Sequence, residues 1–264
     1  MAHPPSESAT PTVLITGGSG GIGLALAERF AADSYRVVLV ARRSPRLTKA
    51  AAGLRKSGAD VLAAPADLAA PGAAGKLKRR LDRRQVHIDI LINNAGFGLA
   101  GPFVATSPKR ERELLALNIS ALVELCKLYA PELVARKSGR IMNVASVAAF
   151  LPGPLMASYY ASKAFVRSFS WALAEELEPM GVSVTCLCPG PTQTGFAATA
   201  RAGQSAMFKG GGGARVDRVA DAGYRGLLRG KREVVPGLTS RLGTWLLRIL
   251  PTRAAARIAL RADS

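Results

Sequence analysis

The stretch Val13-Leu14-Ile15-Thr16-Gly17-Gly18-Ser19-Gly20-Gly21-Ile22-Gly23 decides how this chain folds. A short apolar run reads as a buried strand, a glycine-rich turn follows it, and Ile22, Ala25, Leu26 and Phe30 then recur at helical spacing. Strand, turn and helix in that order open a crossover unit. Glycines permit positive φ in the turn and let backbone approach a pyrophosphate, while the helix behind offers free amides and the positive end of its dipole. Gly17, Ser19, Gly20, Gly21, Ile22 and Gly23 are therefore expected to cradle a dinucleotide phosphate.

Working outward, apolar runs over residues 37–40, 61–64, 88–92, 140–144 and 182–187, and a last one over 233–235, read as strands with helical segments between them. Alternation of this kind predicts an α/β architecture: a doubly wound, mostly parallel seven-stranded sheet, helices on both faces, and the ligand at the carboxyl ends of the strands. The 264 residues fit one such domain. Residues 1–11 read as a loose tail, 12–236 as the nucleotide-binding catalytic domain, and 237–264 as a basic helical extension of it.

Past the second strand, a fold that binds NAD usually presents an acid to the ribose 2′-hydroxyl. This chain presents Ala41-Arg42-Arg43, with no acid between Tyr35 and Arg46. A guanidinium grips a 2′-phosphate through paired hydrogen bonds, so the expected cofactor is NADP(H), with Arg42 the leading contact and Arg43 the second. Farther along, Tyr159 and Lys163 stand four apart on a helical segment and share a face, which sets an ammonium beside a phenol and makes the phenol usable as acid and base.

With these residues in place the chain resembles the short-chain dehydrogenase/reductase family over roughly residues 12–236. The glycine loop is similar to the family's TGxxxGxG signature, with Gly20 where a serine is common. The resemblance implies a Rossmann-type fold and further roles. Asp67 matches the acid that meets the adenine edge. Asn94, Ala95 and Gly96 belong to an NNAG stretch, begun by Asn93, that steadies the sheet and lines the cofactor. Asn118, Ser146, Tyr159 and Lys163 match the catalytic tetrad, and the YxxxK register selects Tyr159 over its neighbour Tyr160. Pro189, Gly190, Thr192 and Thr194 match the segment that holds the nicotinamide amide, while Tyr159 and Lys163 also touch cofactor.

The implied chemistry is hydride transfer between a carbonyl and a secondary alcohol, with Tyr159 as the proton donor and Ser146 holding the substrate oxygen. By the same resemblance, Asn118 positions a helix bend and a water that relays protons from Lys163. An ammonium about 4 Å from the phenol, at an effective dielectric near 20, is worth on the order of 4 kcal/mol, or roughly three pKa units before desolvation is subtracted. A non-catalytic NADP-binding sensor or scaffold is the alternative. Phe97, Leu99, Phe103, Val147, Phe150, Leu151, Leu155, Met156, Phe196, Met207 and Phe208 suggest a small apolar carbonyl or alcohol as substrate, lipid-like, steroid-like or aromatic. Residues 196–215, with glycines from Gly210 to Gly213, suit a mobile cover.

Composition excludes other classes. Lys and Arg number 36 against 18 Asp and Glu, a formal net charge of +18, yet the arginines are dispersed and no nucleic-acid reading module accompanies them. No nucleic-acid partner is expected. Two histidines, His3 and His87, and three cysteines at uneven spacing give neither a metal site nor a disulfide framework, so no metal and a reducing cytoplasm are expected. No run of roughly 18 consecutive apolar residues spans a bilayer. Beyond Pro236, however, Leu242, Trp245, Leu246, Ile249 and Leu250 form a helical stripe with Arg241 and Arg248 off its centre, and after Pro251 come Arg253, Arg257 and Arg261 at intervals of four. Peripheral membrane contact, packing on the protein's own core, or packing on a partner subunit are the readings of that tail. Family habit implies a homodimer or homotetramer.

Overall fold

The computed structural model describes residues 10–194 and 213–263. Seven strands, β1 (Thr12–Thr16), β2 (Arg36–Ala41), β3 (Val61–Pro65), β4 (Ile90–Asn93), β5 (Gly139–Val144), β6 (Val182–Leu187) and β7 (Glu233–Val234), form one sheet in the order β3-β2-β1-β4-β5-β6-β7. Every pairing is parallel, where the sequence pattern suggested mostly parallel. β4 begins at Ile90 and not at Ile88, because its pairing with β1 starts at Val13 opposite Ile90.

Successive strand residues point to opposite faces, and β1 shows the consequence. Val13 and Ile15 join a core with Leu26 and Phe30 of α1 (Gly21–Ala32), Leu47 and Leu54 of α2 (Pro45–Lys56), and Leu227 of the later helix Val216–Leu228. Leu14 joins the opposite core, built on α3 (Ala73–Asp82), α5 (Ala121–Ala135) and α6 (Ala157–Leu177). Each fully buried large apolar side chain contributes about 1.5–3 kcal/mol, whereas an exposed ion pair contributes about 0–1. The two apolar layers therefore hold the sheet.

Preceding α5 is α4 (Pro108–Leu115), joined to it through a π-helical turn at Ala116–Ser120. The continuous 28-residue helix Pro108–Ala135 is long and apolar enough to cross a membrane by length and composition. Here Leu114, Leu122, Leu125, Tyr129 and Leu133 of that helix lie buried in the protein's own core. The helix Val216–Leu228, designated α7, closes the other face: its Asp221 pairs with Arg29 of α1, and Gly226 lets it approach β7, since a Cβ there would meet Val234 Cγ2 at 2.3 Å. After β7 come α8 (Leu238–Ile249) and α9 (Thr252–Asp263). α8 packs against the short turn Val147–Phe150 that follows β5.

Candidate active site

The sheet order places β1 beside β4, and the crossovers from these two strands run toward opposite edges. A crevice opens at their carboxyl ends. Thr16, the last residue of β1, ties its rim together: its Oγ1 accepts from the backbone N–H of Asn94 and of Ala95, both at 2.9 Å, and donates to Ile92 O at 3.3 Å. Asn94 answers by donating from Nδ2 to Thr16 O at 2.9 Å. Into this knot the glycine loop fits without side chains. Gly17 turns at φ +67°, and a Cβ on Gly23 would sit 2.5 Å from Asn94 Nδ2 and 2.6 Å from Gly17 O. At Gly20, by contrast, a Cβ meets nothing within 4 Å, so the site of the absent serine is open space.

Across the crevice, β5 runs out into Ser146, and α6 delivers Tyr159 and Lys163 on one face. The turn before α6 is strained, with Leu155 at φ +64°, and Gly153 lies so close beneath Tyr160 that a Cβ would contact its ring at 2.3 Å. That contact pins Tyr160 to the turn. Ser146 Oγ accepts from Ala148 N at 3.1 Å and is hydrogen-bonded to the Tyr159 phenol. Lys163 Nζ donates to Val144 O at 2.8 Å and lies 5.9 Å from the Tyr159 ring centre.

Burial governs the ionisation of this pair. Tyr159 is 9% and Lys163 6% exposed. Desolvation pushes the phenol up to about 12, with the Ser146 hydrogen bond pulling the other way, and it pushes the amine down to about 8. Desolvation, which the four-residue spacing does not report, is thus the largest influence on both groups. Beneath them Cys186 and Cys188 are free and buried, as expected of reduced thiols.

Asn118 sits inside the π turn, where Ala121 N–H reaches back to Ala116 O. Buried at 2% exposure, it accepts from Phe97 N at 3.1 Å and donates to Phe97 O at 3.0 Å and to Ser162 Oγ at 3.1 Å. Ser162 in turn donates to the Tyr159 carbonyl at 2.7 Å. Asn118 thereby clamps the strand following β4 to the helix carrying Tyr159. Gly96 makes room for this, since a Cβ there would stand 3.0 Å from Asn118 Oδ1 and 3.5 Å from Lys163 Nζ.

One cavity of about 590 Å³ joins these parts. Gly17, Ser19, Gly20, Gly21 and Ile22 wall one side, Asn94, Ala95 and Gly96 the floor, Ser146, Tyr159 and Lys163 the other side, and Pro189, Gly190, Thr192 and Thr194 the far end. Thr194 closes over the loop, its Cγ2 3.3 Å from where a Gly21 Cβ would be. These contours fit an extended dinucleotide, because close backbone approach is available where a pyrophosphate would need it. Gly23 packs behind the loop. Arg42, Arg43 and Asp67 are exposed outside the cavity wall, with Asp67 Oδ1 accepting from Ala69 N at 3.2 Å.

Of the apolar candidates, Val147 and Met156 line the cavity, and Phe97, Leu99 and Leu151 pack on the cluster around Tyr159. Phe103 is 67% exposed, Phe150 packs on the main core under Arg167, and Phe196, Met207, Phe208 and the cover segment over 196–212 lie outside the described residues. Sequence reading missed Arg46, which lines the cavity from the first turn of α2. The Ser44-Pro45 helix start, with Ser44 capping Leu47 N, was the signal that could have placed it.

Comparison with known proteins agrees with this geometry. A family model described as short chain dehydrogenase matches residues 11–205. A short-chain dehydrogenase from Sphingobium yanoikuyae, solved with NADPH, is 37% identical over 91% of this chain and 96% of its own, with a TM-score of 0.80. A bulky-bulky ketone specific alcohol dehydrogenase from Comamonas testosteroni is 30% identical over 96% of this chain and 100% of its own, with a TM-score of 0.77. A very-long-chain 3-oxoacyl-CoA reductase from Pyrenophora tritici-repentis is 35% identical over 66% of this chain. The matched part spans only 50 to 60% of the length of that reductase and three other curated relatives. Solved proteins of this fold include complexes with NADPH and with NAD.

Proposed function

The chain belongs to the short-chain dehydrogenase family, and from that premise we propose that it is an NADP-dependent reductase of an apolar ketone, with Tyr159 as general acid. The observation that carries the reading is the single cavity in which the glycine loop faces Ser146, Tyr159 and Lys163. The cavity would hold NADPH, which would supply hydride to a carbonyl carbon. The chain's own work is to hold and protonate the oxygen. Ser146 orients it by hydrogen bond, and Tyr159 gives it a proton as negative charge grows. A phenol near 12 stays protonated at neutral pH yet is far more acidic than an alcohol, so donation to a forming alkoxide runs downhill. Lys163, with its pKa near 8, remains an ammonium there and stabilises the phenolate left behind.

The preference for NADP rests on Arg42 and Arg43 at the end of β2 and on Arg46 at the cavity wall, with no acid beside them in sequence. Apolar substrate specificity is supported by a wall whose charged members are only Arg46 and Lys163 among the described residues, and by the acyl and bulky ketone substrates in the names of two relatives. A panel of ketones followed by the absorbance of reduced nicotinamide tests the reading. The wild type should favour NADPH over NADH, and Arg42→Ala should narrow that preference. Tyr159→Phe should bind NADPH as before while turnover falls about a hundredfold to ten-thousandfold, the usual size of a general-acid contribution. Full turnover in that variant defeats the mechanism, and NADPH binding without turnover in the wild type assigns the fold a sensor or scaffold role.

A further inference from the structure

Helix α8 is amphipathic in an inverted sense. Ser240 and Leu247, half-buried, and Thr244, buried, turn toward the protein, while its larger apolar face turns away. Leu238, Leu242, Trp245 and Leu246 are 81, 62, 58 and 45% exposed and fall at helical spacing on one side, and Leu250, in extended backbone just past the helix end, is 37% exposed. A contiguous outward stripe of this size marks an interaction surface.

The surroundings of the stripe select its partner. Arg225 and Arg229 of α7, Lys231 after it, and Arg241 of α8 line a groove of about 640 Å³ together with Leu238 and Trp245. Among the described residues none of these four cations is paired with a carboxylate. The groove's own acid, Glu233, is engaged by Arg167 Nε at 2.6 Å and Trp171 Nε1 at 3.1 Å. A second copy meeting this face by two-fold symmetry would bring one unpaired basic cluster toward another, on a chain of net charge +18. An anionic bilayer answers both features: leucines and Trp245 enter the headgroup and acyl boundary, and the cations meet lipid phosphates.

We propose that α8 seats the protein on an anionic lipid membrane through Leu238, Leu242, Trp245, Leu246 and Leu250, with Arg225, Arg229, Lys231 and Arg241 facing the headgroups. The seat adjoins the cavity. Ser240 lies against Gly190 at the cavity's far end, where a Cβ would come within 2.8 Å of its Oγ, and α8 packs on the turn carrying Val147.

Flotation of the full chain with phosphatidylcholine vesicles, with and without added phosphatidylglycerol, tests this. The wild type should float with the anionic vesicles at least about tenfold more than with neutral ones, and added salt should release it, as expected of electrostatic attraction to a surface. The double variant Leu242→Glu, Trp245→Glu should lose flotation while its thermal melt stays that of the wild type, since both side chains are exposed. Arg225→Glu with Arg229→Glu should lose the preference for anionic vesicles. Failure of the wild type to float, or equal flotation of the Leu242 and Trp245 variant, overturns the proposal. A dimer in light scattering that this variant splits, with no flotation, gives the stripe to a second copy instead.

Discussion

Tyr159 and Lys163 stand one helical turn apart, and burial drives their pKa values in opposite directions, to about 12 and about 8. Below about 8 both are protonated, so the proton donor and the cation that stabilises its conjugate base coexist. Raising pH through about 8 removes the cation while leaving the phenol protonated. The rate of ketone reduction should therefore fall above about pH 8, and the limb should belong to Lys163 and not to Tyr159. Folding responds with the opposite sign. The folded amine titrates below its ordinary 10.5, so the unfolded chain binds more protons between about 8 and 10.5, and Lys163's contribution to stability rises with pH over that window. A pH profile of turnover run beside thermal melts separates the two effects. A reduction rate that stays level up to 10.5 would contradict the assignment. The pairing of these two residues was legible from a spacing of four, but their ionisation was not, because desolvation depends on what the fold packs around them.

Among the elements, the glycine loop and the start of α1 fit against the carboxyl end of β4 so closely that Asn94 occupies the space a side chain at residue 23 would need. Gly23→Ala should force Asn94 off Thr16 and Gly17, costing about 1–3 kcal/mol as overpacking does and weakening NADPH binding beyond what stability alone explains. Thermal melts with and without NADPH check this; a variant that matches the wild type in both would show that the knot around Thr16 does not shape the site. Such strand and helix elements were readable because apolar spacing of two and of 3.6 reports them directly. The π turn at Ala116–Ser120 was expected only as the helix bend that the family resemblance implies at Asn118, since no residue type in the stretch marks the extra residue and the phase shift of about 100° that it brings. Asn118 was found through its family match alone, and its bonds to Phe97 and Ser162 show what the turn positions. Arg46 lies in the first turn of the helix after Arg42 and Arg43, where only the Ser44-Pro45 helix start marks its place in the sequence.

Across the whole molecule, seven parallel strands and two helical layers bring together residues as distant in sequence as Gly17, Asn94, Ser146, Tyr159 and Gly190. The basic balance takes on a direction under the membrane proposal, in which α8 turns its leucines outward beside four cations that have no carboxylate partner among the described residues. The proposed function requires that one cavity align a nicotinamide cofactor with an oxygen held by Ser146 and Tyr159. Mass spectrometry of the alcohol formed from a reduced ketone, with NADPH deuterated at both C4 positions, tests that alignment directly. One deuterium on the carbinol carbon is expected, and a carbinol carbon carrying only hydrogen from solvent would contradict it.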